Sequence, residues 1–512
     1  MAIKRNTIAY FKEQVSETVA VVPASVTDGF VSIESPDITT GQREILESDL
    51  LSTSIGMRKP QLGFETAQCS VVTELRSHGD TGAVPTQPDF GILLESSIGT
   101  PNISVADTVQ ALPAPSTTEV TIGTEGNIKQ HDFVIQDNTT DGKVGRFVKS
   151  LKLAIIAGIN DKIDFNEGGP EYNATLTAGV YTHGSSSVVG SIGAHIKTQM
   201  EAEAGTGTIT VTAILQADGS YKYTIANSTP TFQLLIATGA NTADNFLKLN
   251  LGFGVADLTG STSYTGATAI WGNRLVWNVA TTTAPTSADP LYASVNYKPI
   301  NQAHKHFTSG FYNGNSASDG YFEQVIGCLV SSLGFDITTG QIAKMNFDIQ
   351  GLKSDRTALT ASSFNPSYES VQGLVAFCVD MYIGSTLIDA NAFTLTVEDE
   401  IVEKQSFKEC SGKIGSNIRS RSISGTVNPF ADGSTTYYDA LNALTDYDLM
   451  VVIGKKDADG FMIGQTVGIY LPQVMITQTK TSDIDDNIIE DINFSAHAGV
   501  DGTKRDVVIS FS

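Results

Sequence analysis

The chain has 512 residues, enough for two or three domains of ordinary size. With 41% hydrophobic and only 17% charged residues, it has the material for sizeable cores and is not a disordered chain. A net charge of −23 excludes a general DNA-gripping surface, since phosphates are neutralised by Lys and Arg, and suits a surface that must not hold nucleic acid.

The 47 glycines, with frequent Ser, Thr and Val, point to many short strands and turns. Cys69, Cys328, Cys378 and Cys410 are widely spread and form no CxxC pair. They read as buried thiols of a protein matured in a reducing cytoplasm, with two long-range disulfides as the alternative. No secretory signal is expected at the first residues, and no apolar run approaches membrane-spanning length.

In chain order, residues 9–15 hold the first firm local pattern, and 30–33 read as a short strand leading into a turn at Ser35-Pro36-Asp37. The polar stretch 39–60 has no sustained period of either kind. It is too long for an idle connection and reads as a functional loop or an arm that packs on a neighbour. Alternation returns over 64–75, a turn follows at 78–82, and 88–99 (PDFGILLESSIG) is expected as a short helix opening near a proline and stopping at a glycine.

Residues 120–153 and 269–279 read as strands flanking a block of different character, 157–266. Inside it, 162–165 and 173–176 look like strands, 187–204 like an amphipathic helix, 209–215 and 221–226 like a hairpin across Asp218-Gly219, and 242–251 like a second helix. That is a self-contained α+β module, placed as an insertion in a loop. Nearer the C-terminus, 421–427 alternates as a strand and 437–449 has helical spacing. The turn Asp459-Gly460 leads to two alternating runs, 465–471 and 473–479, and 506–511 closes the chain as a strand.

Few residues suggest chemistry. Asp457 and Asp459, and Asp483 and Asp485, alternate as calcium ligands do, but neither run reaches a closing Glu, so solvated turns are expected. His304 and His306 have no third ligand nearby. Gly252-Phe253-Gly254 lacks the setting of a phosphate loop, and Trp271 and Trp277 are expected in the core on one face of a strand. There is no nucleophile elbow and no zinc-protease helix. No catalytic residue, cofactor or metal site is therefore expected, and the chain is not expected to be an enzyme. The acidic run Glu398-Asp399-Glu400 with Glu403 reads as an exposed edge or as the wall of a negative channel.

An N-terminal strand, a long loop with an Arg-Glu pair, a further strand and then PDFGILLESSIG resemble the tail tube proteins of long-tailed bacteriophages. Residues 306–351 and 413–512 are similar to later hairpins of that family, so the resemblance covers 1 to about 150 and about 270 to 512. It implies a mainly β (α+β) fold: a tail-tube β-barrel or sandwich with a flanking helix, discontinuous over 1–155 and 269–512, with the projecting α+β module at 156–268. It implies a structural virion protein, made in the host bacterial cytoplasm, that polymerises as stacked homo-hexameric rings into the tail tube, the conduit for double-stranded DNA ejection. The partners implied are further copies of the chain, a tape measure protein and tail terminator and tip proteins; DNA passes without specific binding, and no membrane is involved. The loop reaching the next ring would be 42–60, with Arg43, Glu44, Glu47, Asp49, Arg58 and Lys59 available for ion pairs, while Glu398, Asp399 and Glu400 are candidates to face the lumen. The length favours a non-contractile, siphovirus-like tail, and removal of 157–266 is expected to leave tubes that still assemble. The rival reading is a β-rich adhesin or carbohydrate-binding surface protein, which a secretion signal or anchor would accompany.

Overall fold

Period-two alternation decides most of the architecture, because a strand so patterned buries one face and wets the other. The structure, a computed structural model, describes residues 7–21, 30–31, 34, 37–46, 61–79, 81–82, 84–138, 140–203, 207–216, 218–299, 304–316, 319–358, 371–407, 412–431, 435–484, 487–499 and 505–512. Strand makes up 55% and helix 8%, against about 20–25% and 30–35% in an average soluble protein, so the fold is mainly β.

The principal elements are β1 (Thr7–Glu13), β2 (Asp37–Leu46), β3 (Gln61–Glu74), α1 (Gly91–Ser97), β4 (Phe133–Asn138), β5 (Gly142–Ile155), α2 (Ile192–Glu203), α3 (Phe246–Asn250) and β6 (Arg274–Trp277). After these come β7 (Phe307–Ser316), β8 (Asp319–Thr338), β9 (Lys344–Gly351), β10 (Lys353–Ala358), β11 (Val379–Ile383), β12 (Ala390–Gln405), β13 (Lys413–Pro429), α4 (Thr436–Ala443), β14 (Asp446–Asp457), β15 (Gly460–Ile484), β16 (Asn487–Ala496) and β17 (Val508–Phe511). Further short strands are named by their residues.

The main sheet runs β2-β3-β9-β8-β12-β13-β16-β15-β14-β11, every neighbour antiparallel. Two strands are long enough to serve two sets of partners. The first half of β8 pairs with β7 and β10, the second with β9 and β12. The first half of β15 pairs with β14 and β17, the second with β16.

Register fixes the core. Val71, Phe347, Leu333, Val397 and Ile423 stand opposite one another across β3, β9, β8, β12 and β13, and all are buried. Removing such side chains from water contributes about 1.5–3 kcal/mol each. Gly425 is required in β13 because a Cβ there would come within 2.5 Å of the Phe494 ring. Helix α1 sends Leu93 and Leu94 into this core. It has no side-chain cap, and its polar residues are tied to neighbouring elements instead: Glu95 pairs with Lys305 at 2.8 Å, and the Ser96 hydroxyl accepts from the Val330 N–H at 3.2 Å.

β14 is covered on both faces, which is why 449–453 is a continuous apolar run. Leu449, Val451 and Ile453 face the main core, while Met450 and Val452 meet Phe133, Ile135 and Phe147 of β4 and β5 in a second core. Beyond that, Val134, Val148, Leu275 and Trp277 form a third.

Residues from Leu153 to Ile270 share a core of their own, built on the sheets 171–175/162–167/232–234 and 209–215/221–227/263–265 with α2 and α3. Asn245 caps α3 by accepting from the Leu247 and Lys248 N–H groups, and the Ser191 hydroxyl accepts from the Ala194 N–H before α2. The chain enters this module from β5 and leaves into β6, which pair antiparallel with Lys152 opposite Arg274. The two junctions are therefore adjacent.

Several elements differ from the sequence expectation. Part of the expected loop 39–60 is strand β2; residues 47–60 lie outside the described residues. The helix expected over 437–449 ends at Ala443, where Leu444 turns left-handed (φ 51°), and Leu449 belongs to β14. Helix α2 starts at Ile192, not 187. The runs 465–471 and 473–479 form one strand, with Pro472 at a shift in the β14–β15 register. Of the two tryptophans only Trp277 lies in a strand; Trp271 precedes it, with the Lys129 ammonium 5.5 Å from its ring centre. Cys69, Cys328 and Cys378 are free thiols, and burial pushes Cys69 up to about 12; Cys410 lies outside the described residues.

Candidate functional site

The register that buries one face of the main sheet lays out the other. Ser70, Asp348, Ser332, Glu398 and Ser422 form one row across β3, β9, β8, β12 and β13. The next row is Val72, Asn346, Gly334, Thr396, Ser424 and Ser495, now reaching β16, and a third is Glu74, Lys344, Asp336, Thr394, Thr426 and Asn493. None of these residues is buried.

The face is built of hydroxyls, amides and carboxylates. Thr394 and Thr426 share a hydrogen bond at 2.7 Å, and Asp336 accepts from the Thr338 hydroxyl at 3.1 Å. These rows hold Asp348, Glu398, Glu74 and Asp336 against Lys344, whose ammonium is already paired with Glu34 at 2.7 Å. With Val72 as the one sizeable apolar side chain in them, the rows cannot dock a partner by hydrophobic burial, and their charge repels a polyanion.

The three acidic residues of the run 398–400 in β12 do not act together. Glu398 and Glu400 lie on the exposed face. Asp399, expected as a lumen candidate, points the other way, because successive side chains of a strand alternate. It is 4% exposed, accepts from Arg421 Nε at 2.8 Å and from the Ser97 hydroxyl of α1 at 2.9 Å. Burial pushes its carboxyl above the ordinary range despite the guanidinium beside it. Glu400 accepts from Ser420 Oγ at 2.6 Å and Arg419 Nε at 2.9 Å, and these bonds hold its carboxyl below the ordinary range. Glu403 accepts from Lys413 Nζ at 2.7 Å.

Of the six residues expected in an inter-ring loop, Arg43 and Glu44 lie on strand β2, and Glu47, Asp49, Arg58 and Lys59 fall outside the described residues. Arg43 pairs with its cross-strand partner Glu65 at 3.1 Å, and Glu65 also accepts from the Ser354 N–H of β10 at 2.7 Å. That pairing was missed in sequence because the hairpin register was not visible.

The candidate ligands serve the fold. His304 Nδ1 donates to the Ser96 carbonyl at 2.9 Å, and burial, then Arg421, push its pKa below the ordinary range. His306 Nε2 donates to the Ser416 carbonyl at 3.1 Å. Asp457 accepts from the Asp459 N–H at 2.8 Å, closing a turn. Among the described residues no group of three or more His, Cys, Asp or Glu is placed to hold a metal ion, and no helix is long and apolar enough to cross a membrane.

A family model described as phage tail tube protein matches residues 241–496, half of the chain. The match begins inside the module, shortly before α3, and takes in every strand of the polar face except β3. No curated protein matches the chain.

Proposed function

The chain belongs to the phage tail tube protein family, a structural part of the virion tail, and from that premise we propose that six copies join as a ring and that rings stack into the conduit for double-stranded DNA. The observation that carries this reading is the polar face of the main sheet. Joining six such sheets edge to edge turns that face into the wall of a closed barrel and removes free strand edges, which otherwise invite uncontrolled pairing. β2 pairs with β3 alone among the described strands, so its outer backbone groups are available to a strand of the next copy. Hydroxyls keep the wall wet, and Asp336, Asp348 and Glu398 discourage DNA from adhering to it.

In such a tube a tape measure protein occupies the lumen before DNA does, and terminator and tip proteins cover the two ends. The module lies beyond the second and third cores, on the side of β14 and β15 away from the polar face, so it projects outward from the tube. The tail is of the non-contractile, siphovirus-like kind.

The test is negative-stain electron microscopy of the purified protein over a range of concentrations. Hollow rings or tubes, with a central hole wide enough for a DNA duplex and knobs on the outside, are expected. Discrete monomers at every concentration, together with absence of the protein from tails of intact virions, would overturn the reading.

A further inference from the structure

The two ends of the β12–β13 pair are unlike, and their differences are complementary. Where β12 begins, an open groove presents Ile388, Ala390 and Phe430 above the buried Met381 and Phe393, and the exposed carboxylate of Asp389 stands in its lining. Phe430 is 46% exposed and Phe377, also in the lining, 74%. Past the other end of β12, Phe407 is fully exposed, three residues beyond the exposed Lys404. Lys404 contacts the Asn417 amide at 3.5 Å and has no ion pair among the described residues. A large aromatic ring held wholly in water, with a cation three residues before it, and a trough with apolar side chains and an anion in its lining are the two halves of one contact.

We propose that Phe407 of one copy seats in this groove of the next copy along the tube, with Lys404 meeting Asp389. This rests on the tube reading. The 16 residues of β12 separate the two features by roughly 50 Å at about 3.3 Å per residue. Features at opposite ends of one strand cannot meet within a subunit. They meet when a second copy is displaced along the strand direction. Such a contact is head-to-tail, uses different patches on the two copies, and does not close on itself, so it generates an open stack. The occupant is therefore a second copy of this chain. A buried aromatic at the centre of a small patch, with a charge pair at its rim, is also the arrangement in which one side chain carries most of an interface.

The experiment compares the full-length protein with F407E, F407L, I388E, K404E, D389K and the double variant K404E/D389K by sedimentation and negative-stain microscopy across concentration. F407E is expected to give rings that do not stack, with the concentration needed for tubes raised about tenfold or more, the factor that about 1.4 kcal/mol sets. F407L keeps most of the wild-type behaviour. K404E and D389K each raise the threshold, and the double variant returns it to within about threefold of wild type, since the pair is coupled. Phe407 is exposed, so thermal unfolding of F407E should match wild type, which separates lost stacking from lost folding. Tubes of F407E at the wild-type threshold overturn the contact and leave the tube reading standing. So does loss of stacking in I388E with none in F407E, which gives the groove to another occupant. A wild type that forms neither rings nor tubes and is absent from the tails of intact virions overturns both.

Discussion

Arg421 joins three elements through one guanidinium: it donates to Asp399 of β12 and to the Ser97 carbonyl of α1, from its own place on β13. Replacing it by alanine leaves a carboxylate that is 4% exposed without its counter-charge, and breaking a buried pair in this way costs about 3–5 kcal/mol. R421A is expected to lower the urea midpoint of the dissociated subunit accordingly, and R421K to recover only part of the loss; an unchanged midpoint would show that the pair contributes nothing. In the sequence, Glu398-Asp399-Glu400 read as one acidic run. The alternation of a strand was the available signal that its middle member faces away from the other two. His183 makes a second residue-level case. Its ring stacks on Tyr221 with centroids 4.4 Å apart, Nε2 donates to the Trp271 carbonyl at 3.0 Å, and Nδ1 accepts from the Tyr223 hydroxyl at 2.9 Å. Burial lowers its pKa from 6.5 to about 4. The unfolded chain therefore binds the proton first as pH falls, so this stabilisation is complete above about 6.5 and is lost towards about 4. The shift amounts to about 3 kcal/mol. Glu125, which accepts from the Trp271 and Gly272 N–H groups and whose pKa burial raises, acts in the opposite sense at this junction. Urea unfolding of the full chain at pH 7.5 and 4.5 should show a larger loss at low pH for wild type than for H183N, and equal losses would rule His183 out as the cause.

At the scale of elements, the alternation of 421–427 marks β13 in the sequence, β8 and β9 come only through the family resemblance, and β12 is not marked as a strand at all; other departures occur where a local irregularity interrupts the period. β2 has register shifts between Thr39 and Gln42 and between Arg43 and Ile45, so its pairing holds while its sequence pattern breaks. Pro472 looked like the end of a run because it has no N–H to give a ladder; it sits at a shift in register, where a proline is tolerated. Helix α4 looked too long because Leu441 and Leu444 kept helical spacing into a residue that is its left-handed cap. The Leu444 N–H bonds back to the Ala440 and Leu441 carbonyls. A left-handed conformation costs an L-residue with a Cβ about 1–2 kcal/mol, and glycine fills this position without that penalty. Leu444 is 67% exposed, so little packing is lost on its removal. L444G is expected to stabilise the dissociated subunit by about 0.5–1 kcal/mol in urea unfolding; a destabilised variant would mean that the leucine side chain contributes more than its backbone strain costs.

For the whole molecule, composition supplied the sign of the charge but not its place. The net −23 is a total over the whole chain, and only the antiparallel register brings Asp348 and Glu398 onto one face with the hydroxyl rows. Long-range pairing is what one sequence cannot reveal: β3 reaches β9 across more than 250 positions. The difference between total charge and its placement is open to experiment. D348K/E398K changes the subunit charge by +4, from −23 to −19, so the protein remains strongly acidic. E171K/E203K makes the same change on the exposed surface of the module. If the polar face lines the lumen, tubes of D348K/E398K carry a ring of lysines repeated at every level and retain short duplex DNA at low salt. Retention then falls steeply as salt rises, since each phosphate contact releases counterions. Tubes of E171K/E203K and of wild type retain none, and the neutral D348N/E398Q lies between. Microscopy of the same samples establishes that each variant still forms tubes. Equal retention by the two lysine variants would mean that net charge governs the response, and retention by neither would place the polar rows away from the path of DNA.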